Sequence, residues 1–191
     1  IIGLYDIMNT ITKKFPKVLF EGCSAGGNRF DLGILCYMPQ IWASDNTDAL
    51  CIAKIQTGYS YGYPMSVISA HVSGCPNHQT LRNTDITTRF NVACYGILGY
   101  ECNLSELNKE EYEEVVEQIK LYKELRHTLQ NGKFYRIKSG ENNAYKKGIY
   151  KWICVNDEKT EAIGMILQEQ VVSNSPYEKF VSKGLNDDYL Y

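Results

Sequence analysis

Hydrophobic positions in the first two thirds of the chain alternate between short apolar runs and helical spacing. The short runs predict buried strands at 18–20, 41–43, 67–72 and 96–101. The stretches around them place apolar side chains three or four residues apart, which predicts helices at 4–15, 30–38, 48–59 and 87–95. Regular alternation of strand and helix is typical of an α/β fold with a parallel sheet.

The clearest helical pattern covers residues 109–130. Asn108 can accept a hydrogen bond from the first turn, and Glu111 three residues later completes a capping box. One apolar face then continues through the segment. Asn131-Gly132 is a typical helix end, so we predict that the helix stops there.

Beyond Gly132 the spacing of apolar residues changes from helical to alternating. The new pattern predicts antiparallel strands at 134–137, 150–155 and 162–167, with a hairpin turn at 156–159. The change to strands alone predicts two domains, at 1–132 and 133–191. Four strand–helix units make up half of a (β/α)8 barrel, which usually takes about 250 residues. The same pattern also permits a small open α/β sheet.

Composition narrows the class of protein. The chain has 20 basic and 22 acidic residues, a net charge of −2 and no cluster of Lys and Arg, so binding to nucleic acid is not expected. No apolar run approaches the ~20 residues that cross a bilayer, and the first residues do not resemble a signal peptide. Neither feature predicts a membrane partner. The seven scattered cysteines favour free thiols in a reducing, cytoplasmic setting.

Reactive side chains follow two of the predicted strands. The segment Trp42-Ala43-Ser44-Asp45-Asn46-Thr47-Asp48-Ala49 comes after the strand at 41–43, at the kind of position where parallel sheets present functional groups. Asp45 is a candidate general acid/base with an aromatic neighbour in Trp42. The alternative is that Asp45 or Asp48 caps the next helix, since Ser, Thr, Asn and Asp are all good caps.

The glycine-rich segment after the strand at 18–20 is a second candidate site. Glycines close to Cys23 allow a backbone to approach a ligand closely. Their order matches neither the P-loop nor the dinucleotide fingerprint, and a tight strand-to-helix turn is the alternative. Arg29 and Asp31 further on are expected to form a supporting ion pair.

Other polar residues at predicted strand ends allow more than one interpretation. His71 lies at the end of the third strand, and it could be either an active-site residue or a structural hydrogen-bonding group. Glu101 is at the end of the fourth strand, and its carboxylate could either support the site or form an ordinary salt bridge. Cys75 and His78 are two possible zinc ligands, but no second pair follows at suitable spacing, so no metal site is expected.

Several motifs, in one order, resemble the glycoside hydrolase family 36 α-galactosidases. They are Phe20-Glu21-x-Cys23-Ser24-x-Gly26-Gly27, Arg29-Phe30-Asp31-Leu32-Gly33, Pro39-Gln40-Ile41-Trp42-x-Ser44-Asp45-Asn46-Thr47-Asp48-Ala49, His71-Val72-Ser73, Pro76-Asn77-His78-Gln79, Gly99-Tyr100-Glu101 and Phe134-Tyr135-Arg136. The resemblance implies the C-terminal half of a (β/α)8 TIM barrel at 1–132, followed by the start of an antiparallel β-sandwich domain at 133–191. Asn28 and Asn103 stand where glycine and aspartate are common in the family.

The same resemblance implies a retaining α-galactosidase that acts on terminal α-D-galactosyl groups of raffinose- or melibiose-type oligosaccharides. Asp45 would be its general acid/base, with no metal or other cofactor. The substrate-binding residues would be Cys23, Gly26, Trp42 and His71. Asp48 would be a helix cap or a supporting residue, and 77–80 a loop that shapes the pocket.

The family's nucleophile is an aspartate in a Lys-Trp-Asp motif, which these 191 residues do not contain. The fragment alone is therefore expected to be inactive. The resemblance also implies a homo-oligomeric parent protein such as a tetramer. Three alternatives stay open, namely a transglycosidase on the same scaffold, an α-N-acetylgalactosaminidase and a catalytically dead sugar-binding module.

Overall fold

The computed structural model describes residues 2–23, 28–137, 148–171, 173–174 and 177–191. These residues form an α/β structure with a four-stranded parallel sheet and a separate three-stranded antiparallel sheet. The parallel strands, in spatial order, are β1 (Glu21–Gly22), β2 (Gln40–Trp42), β3 (Ile68–Ser73) and β4 (Ile97–Glu101). The antiparallel strands, in spatial order, are β5 (Lys133–Arg136), β6 (Ile149–Val155) and β7 (Ala162–Gln168).

Five α-helices accompany the strands in the part of the chain that is described. They are α1 (Ile2–Lys14), α2 (Leu32–Leu35), α3 (Ala49–Tyr59), α4 (Ile86–Ala93) and α5 (Lys109–Asn131). Short 3-10 turns occupy Met65–Val67 and Leu104–Glu106. Within the described ranges no helix has the length and apolar character that crossing a membrane requires.

Side-chain caps determine where three of the helices begin. Asp48 caps α3, Asp85 caps α4 and Asn108 caps α5, each by accepting backbone N–H bonds from the first turn. The predicted capping box is confirmed, because Glu111 also accepts a bond from the Asn108 backbone N–H at 3.3 Å. The helix ends at Asn131, with Gly132 as its C-cap, as the sequence predicts.

The parallel sheet has one apolar face and one polar face. Side chains alternate along a strand, so residues paired across the sheet point to the same side. Ala70 and Val72 of β3 are fully buried in a core that includes residues of α3 and α4. The opposite side of the sheet carries Trp42 and, on β3, His71, which is opposite Gly99 of β4.

The antiparallel sheet joins the same hydrophobic core. Trp152 of β6 is buried against Tyr95 and Phe134, with ring centroids 5.3 and 5.7 Å apart, respectively. Its indole N–H donates to Thr57 Oγ1 in the last turn of α3 at 3.2 Å, and Arg136 donates to the Ser60 carbonyl at 2.7 Å. Thr57 and Ser60 lie at the C-terminal end of α3, and the chain continues from there into β3. The antiparallel sheet therefore packs at the end of the parallel sheet where the strands begin, away from the candidate site.

Two local predictions near the N-terminus are wrong. The apolar run 18–20 is not a buried strand, because Val18 and Leu19 are 53% and 68% exposed and pairing starts only at Glu21. Among the described residues β1 pairs with β2 alone, so no strand lies along its other edge. The helix expected at 30–38 is shortened to α2, because Asp31 in an extended conformation caps its start and Cys36 is its C-cap.

Candidate functional site

Asp45 lies on the loop that follows β2, at the carboxyl end of the parallel sheet, and its side chain is exposed. The indole N–H of buried Trp42 donates to Asp45 Oδ1 at 3.1 Å. The loop is held in shape by its own side chains. Ser44 Oγ accepts from the Asn46 N–H and Asn46 Oδ1 accepts from the Asp48 N–H, both at 3.1 Å. The expected contact between Asp45 and Trp42 is therefore present, and the carboxyl group reaches solvent.

Asp48 performs the capping role that the sequence left open between the two aspartates. Its Oδ1 accepts the N–H bonds of Leu50 and Cys51, at 2.9 and 3.2 Å. Its Oδ2 accepts from Thr80 Oγ1 at 2.6 Å and from Arg82 Nε at 2.9 Å. Burial alone would raise the pKa of Asp48, but these hydrogen bonds and the Arg82 charge outweigh it and hold the pKa below its ordinary value. Asp48 is thus an ionised structural anchor, and Asp45 remains available for chemistry.

The loop from Asn77 to Arg82 clamps the segment that carries Asp45. Asn77 is buried, and its Nδ2 donates to Thr47 Oγ1 at 3.0 Å. Gln79 Oε1 accepts from the Thr47 N–H at 3.1 Å, and Ser73 Oγ donates to the Thr47 carbonyl at 2.9 Å. Three separate groups therefore hold Thr47, two residues beyond Asp45.

Thr47, Thr80 and Arg82 have supporting roles that sequence reasoning missed. Thr47 lies in the motif that contains Asp45 and Thr80 in the predicted loop, but threonine spacing alone carries no signal for such contacts. Arg82 reaches Asp48 across 34 positions of the chain. Only the approach of the two loops in the fold brings these residues together.

His71 borders Trp42 on the polar face of the sheet. The two ring centroids are 4.5 Å apart with planes inclined by 42°. His71 Nδ1 is buried, finds no hydrogen-bond partner among the described residues and lies 3.6 Å from Glu101 Oε2. The structure thus brings His71 next to Trp42, the residue that contacts Asp45, and places Glu101 beside His71.

The glycine-rich segment is described only at its ends. Cys23 is exposed directly after β1, whereas Gly26 lies outside the described residues. Cys23 and Arg29 border a cavity of about 120 Å³ beside the β1 edge. Asp31 accepts from Tyr5 Oη at 3.1 Å and caps α2. Among the described residues it makes no ion pair with Arg29, so that expectation is wrong.

The cysteines carry neither disulfides nor a metal cluster in the described part of the chain. All seven are free, and burial raises the pKa of Cys94 and Cys154 to about 12, so both remain thiols. Cys75 Sγ lies 3.7 Å from Asn83 Oδ1. The described residues contain no group of three or more His, Cys, Asp and Glu placed to hold a metal ion.

This geometry supports acid–base chemistry at the carboxyl end of β2, with one reachable carboxyl group on a rigid loop. A family model described as Melibiase matches residues 1–132. α-Galactosidase 1 of Pediococcus pentosaceus is 43% identical over 193 residues, which cover 100% of this chain and 26% of the relative. α-Galactosidase AgaA of Geobacillus stearothermophilus is 42% identical over 190 residues, which cover 98% and 26%. These similarities place the chain in a family of glycoside hydrolases.

Solved structures give the same assignment. The crystal structure of AgaA, a family 36 enzyme, matches with a TM-score of 0.90 and 41% identity, covering 96% of this chain and 25% of that one. Variants of AgaA have been solved in complex with raffinose and with stachyose. The chain belongs to the melibiase family, the α-galactosidases of glycoside hydrolase family 36. It spans about a quarter of the length of these relatives.

Proposed function

We propose that this chain is part of a retaining α-galactosidase that hydrolyses terminal α-D-galactosyl groups of raffinose-type oligosaccharides, with Asp45 as general acid/base. The observation that carries the proposal is the exposed Asp45 carboxyl group at the end of β2, held by Trp42. The family match over residues 1–132 and the oligosaccharide complexes of AgaA support the same reaction and substrate class.

The fold is consistent with the C-terminal half of a (β/α)8 barrel followed by the start of a β-sandwich domain. Four parallel strands lie in chain order, with helices against one face and Trp42 and His71 on the other. In a closed barrel that second face would be the interior, with the active site at the carboxyl ends of the strands. We place the domain boundary near Gly132, because the family match ends at residue 132 and β5 begins at Lys133.

In this proposal Asp45 acts twice in a double displacement. As an acid it protonates the departing glycosidic oxygen, and as a base it then takes a proton from the attacking water. The carboxylate nucleophile would come from a part of the enzyme outside these 191 residues and lie about 5–5.5 Å from Asp45. Cys23, Gly26, Trp42 and His71 would line the sugar pocket. The isolated fragment should therefore show no turnover.

Azide rescue tests the role of Asp45 in the full-length enzyme that carries this segment. We expect Asp45→Ala to lower kcat for an aryl α-galactoside by about 100-fold or more, because hydrolysis of the galactosyl-enzyme loses its general base. Added azide should restore turnover and yield α-galactosyl azide, because azide needs no general base and attacks the β-linked galactosyl-enzyme from the opposite face. Asp85→Asn is the matched control, since Asp85 caps α4 but makes no contact with Trp42 or Asp45. Unchanged hydrolysis in Asp45→Ala would contradict the proposal.

The same assay separates hydrolysis from galactosyl transfer. With a sugar acceptor present, a hydrolase releases mainly galactose and a transglycosidase mainly the elongated sugar.

The seven free cysteines additionally support a reducing compartment such as the cytoplasm.

A further inference from the structure

A line of contacts on the polar face of the sheet joins Asp45 to strands β3 and β4. Trp42 donates its indole N–H to Asp45 Oδ1 at 3.1 Å, and its ring packs against His71 at a centroid distance of 4.5 Å. His71 is opposite Gly99 on β4. The residue bonded to Asp45 is therefore itself supported by a second ring.

The Trp42 bond distinguishes the two oxygens of the Asp45 carboxyl group. An indole N–H is a donor and never an acceptor. Oδ1 must accept this bond whether Asp45 is protonated or ionised. The proton that an acid gives to the leaving oxygen therefore belongs on Oδ2, and the direction of the indole N–H determines which oxygen reacts.

His71 fits a slot that exists because residue 99 is glycine. A Cβ atom at position 99 would lie 2.5 Å from His71 Cδ2 and 2.7 Å from Nε2, which is closer than van der Waals contact allows. Glu101 Oε2 lies 3.6 Å from His71 Nδ1, which is too far for a hydrogen bond. Packing between Gly99 and Trp42 thus holds the ring.

We propose that His71 is a positioning residue, which acts through the ring of Trp42 to keep Asp45 Oδ2 directed at the leaving oxygen. This inference rests on the proposed function of Asp45. His71 needs its ring for this role, and Gly99 provides the space. Glu101 is not required to hold it.

The test compares two substrates in the full-length enzyme. Raffinose has a poor leaving group that needs the proton of the general acid, whereas p-nitrophenyl α-galactoside has a leaving group that departs without it. The ratio of the two kcat/KM values is independent of the fraction of enzyme that is folded. We expect Trp42→Phe to lower kcat/KM on raffinose by about 10-fold or more and on the aryl substrate by less than about threefold.

Two substitutions of His71 distinguish the contribution of its ring from that of its polar nitrogen. His71→Asn keeps a polar atom near the Nδ1 position but has no ring, and we expect the same selective loss on raffinose. His71→Phe keeps a ring and should retain a ratio near that of the wild type. Gly99→Ala should resemble His71→Asn, because its Cβ displaces the ring. Tyr100→Phe, on the other face of β4, should leave the ratio unchanged.

Equal losses on both substrates in Trp42→Phe and His71→Asn would overturn the inference, and so would His71→Phe behaving like His71→Asn. Asp45→Ala keeps this outcome distinct from failure of the proposed function. If Asp45→Ala loses raffinose activity selectively while the Trp42 and His71 variants do not, the positioning role alone is wrong. If Asp45→Ala shows no selective loss, the acid/base assignment itself fails.

Discussion

The two ends of the parallel sheet are stabilised by different forces. At the carboxyl end, buried Thr47, Asp48 and Asn77 join two loops through side-chain hydrogen bonds. At the opposite end, Trp152 and Leu129 belong to an apolar core that connects the antiparallel sheet to the helices. The candidate acid/base is at the polar end, and most of the shared packing between the two sheets is at the apolar end.

This difference reflects what each kind of contact can do. Apolar packing depends mainly on area and volume and stabilises without a preferred direction. Hydrogen bonds are directional, so a network such as that around Thr47 can hold a carboxyl group within a narrow range of positions. We infer that packing at the apolar end contributes most of the stability, and that hydrogen bonds at the polar end fix the position of the Asp45 carboxyl group.

Removal of Trp152 should have the largest effect on stability. Trp152→Ala leaves a cavity beside Tyr95 and Phe134 and should lower the free energy of unfolding by about 3–5 kcal/mol. Denaturant unfolding, monitored by circular dichroism, measures this change in the free energy of unfolding. Trp152→Phe keeps an aromatic ring, so it should cost less than Trp152→Ala, with about 1 kcal/mol of its loss from the bond to Thr57 and the rest from the smaller ring. Similar losses in both variants would show that packing does not dominate at this end.

Asp48→Asn should have an intermediate effect that depends on pH. The substitution removes the charge that faces Arg82 and should lower the free energy of unfolding by about 2 kcal/mol near neutral pH. The folded-state pKa of Asp48 is lowered, so its contribution is present above the unfolded value of about 3.9 and is lost as the pH falls through the folded value.

Unfolding of wild type and Asp48→Asn should therefore be compared near neutral pH and in acid. The difference between the two proteins should become smaller as the pH falls. A difference that stays constant over that range would mean that the charge of Asp48 contributes nothing, and that the cap geometry alone explains the loss.

The cap of α5 should show how little an exposed polar contact contributes. Asn108→Ala removes the acceptor for the Glu111 N–H and should cost about 1 kcal/mol. Asn108→Asp keeps an acceptor at the same position and should be close to the wild type. Thermal unfolding of the three proteins gives the order. A loss in Asn108→Ala as large as that in Asp48→Asn would contradict the distinction between buried and exposed polar contacts.

Local patterns were sufficient to predict much of the fold. The capping box at Asn108, the helices predicted at 48–59 and 109–130 and the three antiparallel strands agree with the structure to within a few residues at their ends, because caps and side-chain periodicity act over short distances. The prediction of a buried strand at 18–20 failed because burial of an apolar run depends on what covers it. Nothing in Val18 or Leu19 itself carries that information.

By itself, the sequence determined the α/β pattern, the family and the position of Asp45 after a strand, since each depends on neighbouring residues or on a motif read in order. Only the tertiary structure decided that Asp48 rather than Asp45 is the anchored cap, because Thr80 and Arg82 reach it from another loop. Likewise, the contact between His71 and Trp42 exists only because β2 and β3 are neighbours in the sheet. Contacts between distant parts of the chain arise from strand order and register, which no single segment encodes.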